Sequence, residues 1–335
     1  MKTTLTNARL LDPETGRDER GGLIIEDGLI TDIGPHLSNM ADGEDLGGDC
    51  LAPGLIDLRV QTGEPGNEHR ETLETASQSA VAGGISSMVV LPDTSPVIDT
   101  PALVDFLRRA GQSSRIGNRI YPAGALSIGL QGERMTELGL MKQAGAILFS
   151  NGDNCISNTN LLRRVMQYAK GVDATVMIRP DEPSIATGSM NAGAFAARLG
   201  LRGLPVQAEW IGLTRDLILA EMTGASVIID QISTGRSLDI IADARKRGVQ
   251  MSVTAAAHSL FFNELDIGDG THDSRKAYLT YCKVNPPFRD EDTRQAMISA
   301  LAAGEIDAVV SAHDPQPPEE KRLPFGEASF GAAGL

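Results

Sequence analysis

Two hydrophobic rhythms divide the chain. Over residues 1–51 short runs alternate apolar and polar or run apolar: TTLTNARLL, GGLIIEDG and LITDIG. Turn residues separate them at Asp12-Pro13, Asp27-Gly28 and Gly34-Pro35, and no helical period appears, so this stretch predicts a small β unit. From residue 52 to 335 β-branched apolar runs alternate with amphipathic windows. GLIDLRV (54–60) precedes a helical window at 71–82, ISSMVVL (85–91) one at 101–110, and RIYPAGA (119–125) one at 133–144. AILFS (146–150) precedes a window at 158–170, and ATVMI (174–178) leads to helices near 191–199 and 207–223. SVIID (226–230) precedes 237–248, QMSVTA (250–255) leads through a long insertion to 290–304, and DAVVS (307–311) closes the series.

Strand and helix in strict alternation predict parallel pairing through crossover helices. Eight such strands in about 260 residues match a (β/α)8 barrel of the α/β class. A doubly wound open sheet is the competing architecture, but no Gly-x-Gly-x-x-Gly follows the first strand. In a barrel the chemistry gathers at the C-terminal strand ends.

Composition narrows the function classes. With 30 basic and 44 acidic residues the net charge is −14, which argues against nucleic acid or an anionic membrane as partner. No apolar run is long enough to span a bilayer. The N-terminus lacks the apolar core of a signal peptide. Cys50, Cys155 and Cys282 are too scattered for a disulfide framework or a C-x-x-C site, and the expectation is a cytoplasmic protein. The five histidines, His36, His69, His258, His272 and His313, form no local metal motif. Gly83-Gly84 reads as a helix C-terminal cap. Ser150, Ser233 and Ser311 lie near strand ends outside any Gly-x-Ser-x-Gly.

Several blocks carry a family resemblance. APGLIDLRVQTGEPG followed by HRETLETASQSAVAGGISSMVVLPDTSPVID is similar to the dihydroorotases of the amidohydrolase superfamily. Their pattern is Pro-Gly-x-Ile-Asp-x-His-x-His-x-Arg-Glu-Pro-Gly, then Glu-Thr-x-x-Thr, Ala-Gly-Gly and Pro-Asn-Thr. LRRVMQYAK, Ala-Glu at 208–209, Ser-Thr at 233–234, KVNPPFRDEDTR and HDPQPPEEK extend the likeness along the chain. The resemblance implies an amidohydrolase barrel over 52–335 and, over 1–51, half of a small β-sandwich whose C-terminal part is absent from this chain.

In that family two zinc ions generate the hydroxide that attacks a ring amide. The resemblance places the metal-binding positions on Arg59, Gln61, Asn151, Ile178, Gln231 and Ala312, all replaced relative to the family's histidines and aspartates. Arg59 opposes a dication, Gln61 and Gln231 are very weak zinc ligands, and Ile178 and Ala312 have no donor atom. The substrate-binding arginine falls on Gly63, the asparagine of Pro-Asn-Thr on Asp93 and the last loop histidine on Gln316, whereas Asn285 is retained. Arg59 is expected to pair with an acid such as Asp93 or Glu64 and fill the metal space. Asp57 is expected to serve structurally. A relocated metal site would draw on Asp153, His258 and His313, with His69 nearby in the first loop.

The resemblance therefore points to the noncatalytic dihydroorotase homologues that accompany aspartate transcarbamoylase. It implies no catalytic residues, no zinc or other cofactor, an aspartate transcarbamoylase catalytic chain as partner, and a homo-oligomer. The alternative is a dihydroorotase or other cyclic-amide hydrolase with an altered site. Its pocket would be framed by Arg59, Gly63, Asp93, Asn285 and Asp153.

Overall fold

The computed structural model describes residues 2–113, 115–268 and 278–335; His272 lies outside them. The chain forms two compact units, Met1–Leu55 and Ile56–Leu335.

In the smaller unit β1 (Lys2–Asp12) pairs antiparallel with β2 (Arg17–Glu26), which pairs antiparallel with β3 (Leu29–Gly34). The short strands β4 (Glu44–Asp45) and β5 (Cys50–Leu51) run parallel to β1. Leu10 and Leu23 are buried, while Leu29 and Ile30 stay exposed.

The larger unit is a parallel eight-stranded sheet. In sequence order its strands are β6 (Leu55–Val60), β7 (Ile85–Val90), β8 (Arg119–Ala125) and β9 (Leu148–Ser150). They continue with β10 (Val176–Ile178), β13 (Val227–Ile229), β14 (Met251–Ala256) and β15 (Ala308–Val310). The intervening β11 (Met190–Asn191) and β12 (Gly203–Leu204) pair only with each other. The ring closes at the strand ends, where Val60 bridges His313 and the Gln61 N–H donates to the His313 carbonyl at 2.8 Å. Asp57, buried on β6, accepts from the Arg59 and Ser311 backbone N–H groups at 3.0 and 3.3 Å. It therefore ties the first strand to the end of the last.

The connecting helices are α1 (Leu73–Ala82), α2 (Pro101–Ala110), α3 (Leu138–Ala144), α4 (Thr159–Gly171), α5 (Ala194–Leu199) and α6 (Gln207–Thr223). They are followed by α7 (Gly235–Lys246), α8 (Ala257–Phe261), α9 (Glu291–Ala302) and α10 (Pro318–Lys321). Local chemistry sets their ends. The Thr72, Asn158 and Asp290 side chains accept from the Thr75, Leu161 and Thr293 N–H groups. After α1, Gly84 adopts the left-handed conformation, φ 79°, that turns the chain into β7.

Side-chain alternation along the strands builds two apolar layers. Met88 and Val90 join Leu107, Leu162, Val165 and Leu217 in the layer between sheet and helices. Val89 and Leu91 pack with Ala123, Leu148 and Met177 in a cluster of strand residues inside the barrel. Each fully buried leucine or valine contributes about 1.5–3 kcal/mol relative to exposure.

Two helix windows shorten. Residues 133–137 do not join α3, because Met135 bridges Ser127 and the Thr136 hydroxyl donates to the Ala125 carbonyl at 2.6 Å. Residues 191–193 do not join α5, because Asn191 lies in β11 and Gly193 is extended. No helix among the described residues is long and apolar enough to cross a membrane.

Asp216 on α6 is fully buried and accepts from Arg215 Nε at 2.8 Å, and its Oδ2 has no partner. Burial pushes its carboxyl up to about 7, against the pull of Arg215. The folded chain thus binds a proton there between about pH 4 and 7 that the unfolded chain releases, so this group makes stability fall as pH rises through that window. Asp216→Asn is expected to flatten this decline and to raise the melting temperature at pH 8 more than at pH 5. Melting curves across pH check it; an unchanged slope would refute the assignment.

Candidate functional site

The barrel mouth is organised around a buried cation. Arg59, at the end of β6, is 2% exposed. Its Nε donates to Asp230 Oδ2 at 2.9 Å and its Nη2 to Asp153 Oδ1 at 2.6 Å. Hydrogen-bond complementarity sets the Gln231 amide oxygen toward the guanidinium, where it accepts from Nη2 at 3.1 Å. The first strand is thereby joined to the loop after β9 and to the end of β13. A second buried cation, Arg179 after β10, bonds Asp153 Oδ1 through Nη1 and lies 3.4 Å from Asp181 Oδ2 through Nε. Gln61 donates to Asp93, and to Asp153 Oδ2 at 3.4 Å.

The electrostatics follow from this packing. Burial alone would lower the Arg59 pKa, but Asp153, Asp230 and Asp93 raise it, so its charge is fixed. Against its own burial, Asp153 is held down at about 2 by Arg59 and Arg179. Burial, reinforced by Asp153, pushes Asp93 up to about 6. Asp314, 2.7 Å from Arg70, is pushed up to about 7 by burial and by Asp153 and Asp93. The cluster is an alternating lattice of cations and carboxylates rather than a converging set of acids.

The expectation that Arg59 pairs with Asp93 or Glu64 is corrected. Its partners are Asp153 and Asp230, because Gln61 holds Asp93 and the Leu73 N–H donates to Glu64 at 2.9 Å. Asn151 turns away from the centre: its amide oxygen accepts from the Ser127 N–H at 3.1 Å and its nitrogen donates to the Leu130 carbonyl at 3.3 Å. Ile178 and Ala312 are buried without donor atoms. Gly63 has no room for a side chain, since a Cβ there would lie 1.9 Å from the Asn67 carbonyl oxygen. Gln316 donates to Asp314 at 2.7 Å.

The relocated trio of Asp153, His258 and His313 does not converge: Asp153 and His258 both line the mouth cavity, but His313 is held outside it. His313 accepts at Nδ1 from the Gly334 and Leu335 N–H groups at 3.1 and 3.2 Å, and its Nε2 donates to Glu71 at 2.7 Å. His258 packs edge-on against Phe288 at 5.4 Å, and burial, with Arg59, pushes its imidazole down to about 4. His69 is exposed. Among the described residues no three His, Cys, Asp or Glu side chains converge on a metal position. With a guanidinium at the centre, this donor set does not fit a dication.

Little space remains. Arg59, Asp153, His258, Asn285, Asp314 and the Phe330–Ala332 segment enclose about 10 Å³, room for about one water molecule, whereas ligand pockets are roughly 300–1,000 Å³. The covering segment is tied down: the Gly331 N–H donates to the Lys283 carbonyl at 3.0 Å and the Asp314 N–H to the Ala332 carbonyl at 2.9 Å. A Cβ on Gly331 would lie 2.4 Å from the Asp314 carbonyl oxygen. Lys283 also donates to the Gly326 carbonyl at 3.0 Å and lies 4.7 Å from the Phe330 ring centre.

Sequence reasoning missed Arg179 and Asp230. Each stands beside a replaced ligand position, Ile178 and Gln231. The available signal was charge balance, since a buried arginine requires carboxylates from other strand ends.

Arg59→Ala is expected to lower unfolding free energy by about 3–5 kcal/mol, because Asp153 and Asp230 lose their common cation. Arg59→Lys recovers only part, since one ammonium cannot make the same forked contacts. Combining Arg59→Met with Asp230→Asn, while Asp153 stays to pair with Arg179, recovers part of the loss. Urea titrations at pH 7 measure all three, and an unchanged midpoint in Arg59→Ala would contradict the central role of this cation.

Comparison with known proteins places this arrangement. The family profile described as Dihydro-orotase-like matches residues 48–237. A relative named Dihydroorotase from Desulfotalea psychrophila is 38% identical over 336 residues, covering 100% of this chain and 77% of its own. One from Pelobacter propionicus, with the same name, is 36% identical over 338 residues, covering 100% and 78%. Among solved structures, an L-hydantoinase (dihydropyrimidinase) from Arthrobacter aurescens superposes with a TM-score of 0.82 at 22% identity, covering 99% of this chain and 74% of that one. A D-hydantoinase (dihydropyrimidinase) from a Thermus species gives 0.78 at 19%, with the same coverage. These two likenesses show the α/β barrel fold. The family match over most of the barrel and the full-length relatives show that the chain belongs to the dihydroorotase-like family of the amidohydrolase superfamily.

Proposed function

We propose that this chain is a cytoplasmic dihydroorotase-like protein of pyrimidine biosynthesis that does not hydrolyse dihydroorotate and acts as a structural partner of an aspartate transcarbamoylase chain. One observation carries the reading. The Arg59 guanidinium, paired with Asp153 and Asp230, occupies the mouth where the family resemblance puts the metals, and about 10 Å³ is left beside it. A metal-bound hydroxide is disfavoured next to a fixed cation.

Other nucleophiles are poorly placed. Burial of its sulfur pushes the Cys155 thiol up to about 12, and a thiol kept neutral in this way is a poor nucleophile. The Ser233 hydroxyl donates to Glu209, and the Ser150 and Ser311 hydroxyls accept from the Gly152 and His313 N–H groups at 3.1 and 3.0 Å. The relatives named Dihydroorotase support the pyrimidine context. The barrel keeps an intact core while its described residues bring no metal-ligand set together, and a partner role is consistent with that.

A second reading, a cyclic-amide hydrolase with an altered site, draws on Asn285. Its Oδ1 is buried without a hydrogen-bond partner and it lines the mouth cavity, so a small donor would be bound there.

Two measurements separate the readings. Protein purified without chelator is expected to carry substoichiometric zinc and to leave dihydroorotate intact with or without added zinc. Mixing with an aspartate transcarbamoylase catalytic chain is expected to give a co-eluting complex. About two zinc ions per chain, or sustained hydrolysis, would overturn the noncatalytic reading; separate elution would overturn the partnership.

A further inference from the structure

We propose that the hollow at the N-terminal ends of β8 and β9 binds an adenine mononucleotide, with its phosphate on Arg119 and Arg108 and its base read by Asn118. The hollow lies at the opposite ends of the strands from the mouth, and the inference stands whether or not the barrel catalyses.

The space is of ligand size. A hollow of about 320 Å³ opens between the end of α2 and the starts of β8 and β9. That falls within the usual range of ligand pockets, whereas the mouth keeps about 10 Å³. Ile120, Tyr121, Pro122 and Ile147 give it apolar wall, which suits the faces of a flat base. No Cys, His, Asp or Glu lines it, so it has the makings of a binding site and not of a second catalytic centre.

Charge selects an anion. Arg119 stands exposed at the start of β8, and Arg108 reaches the same hollow from α2. Arg108 and Arg109 share a single carboxylate, Asp105. A guanidinium carries five N–H donors, so Arg108 keeps several beyond those directed at Asp105. The C-terminal end of α2 by itself repels an anion, and the arginines reverse that. In a chain of net charge −14, a wall with two arginines and no acid is a local inversion of sign. Phosphate is an anion that matches the forked geometry of a guanidinium.

Asn118 selects the base. It lines the hollow and is 9% exposed, yet neither its Oδ1 nor its Nδ2 has a hydrogen-bond partner. Buried amides are nearly always satisfied. Turning toward a ligand costs Asn118 no hydrogen bond, because it has none to break. Its amide edge sets an acceptor beside a donor, the pair that reads the adjacent ring nitrogen and amino group of adenine.

Isothermal titration of the full chain with adenosine monophosphate is the test. Binding of one nucleotide per chain is expected, with adenosine and inorganic phosphate each weaker by about 10-fold or more. Purine riboside monophosphate, which lacks only the amino group, should also bind about 10-fold more weakly. Arg119→Glu should weaken adenosine monophosphate by about 10-fold or more and leave the melting temperature of the free chain unchanged, since the side chain is exposed. Asn118→Leu removes an unpaired amide. It should abolish the preference for adenosine monophosphate over purine riboside monophosphate while the free chain melts no lower. Absence of adenosine monophosphate binding overturns the proposal. So does binding that Arg119→Glu leaves unchanged, equal affinity of the wild type for the two nucleotides, or an Asn118→Leu variant that keeps the preference or melts lower.

Discussion

The barrel mouth depends on one buried charge that cannot be neutralised. A guanidinium keeps its proton at any physiological pH, and Arg59 is almost completely removed from water. Its desolvation must be offset by carboxylates in direct contact, or the mouth cannot stay closed. Asp153 and Asp230 supply that compensation from two other strand ends, and Arg179 in turn balances Asp153. A side-chain cation thus ties together strand ends at which the family resemblance places metal ligands. Its direction differs. A metal collects lone pairs from all sides, whereas the guanidinium donates in one plane and must be met edge-on by acceptors.

The neighbouring replacements are intelligible from that constraint. At the other positions to which the family resemblance assigns ligands, charge is absent or turned aside. Asn151 fastens the Ser127–Leu130 turn, Ile178 and Ala312 contribute only apolar surface, and Gln231 offers an oxygen to the guanidinium. The covering segment completes the seal through Gly331, whose missing side chain permits close approach to Asp314.

Buried acids outside the lattice add a second consequence. Asp216 on α6 and Asp314 at the mouth both carry raised pKa values: burial outweighs Arg215 at Asp216, and burial together with Asp153 and Asp93 outweighs Arg70 at Asp314. Ion pairing at the centre and proton uptake at the edges are two solutions to the same desolvation problem.

Much of this was legible in the sequence. The alternation of strand and helix followed from hydrophobic periodicity, a local property. Helix α2 over 101–110, helix α6 over 207–223 and strand β8 over 119–125 fall where the pattern put them. The assignment of family ligand positions to 59, 61, 151, 178, 231 and 312 is what the resemblance implies; the sequence itself shows that none of these residues is His or Asp. What tertiary structure alone decided is which groups meet. The choice of Asp153 and Asp230 over Asp93 and Glu64 as partners of Arg59, the separation of His313 from His258, and the closure of the mouth by residues 330–332 rest on contacts between segments distant along the chain. Such contacts are set by barrel closure and by the need to pair every buried charge, and neither condition is written in any local stretch of sequence.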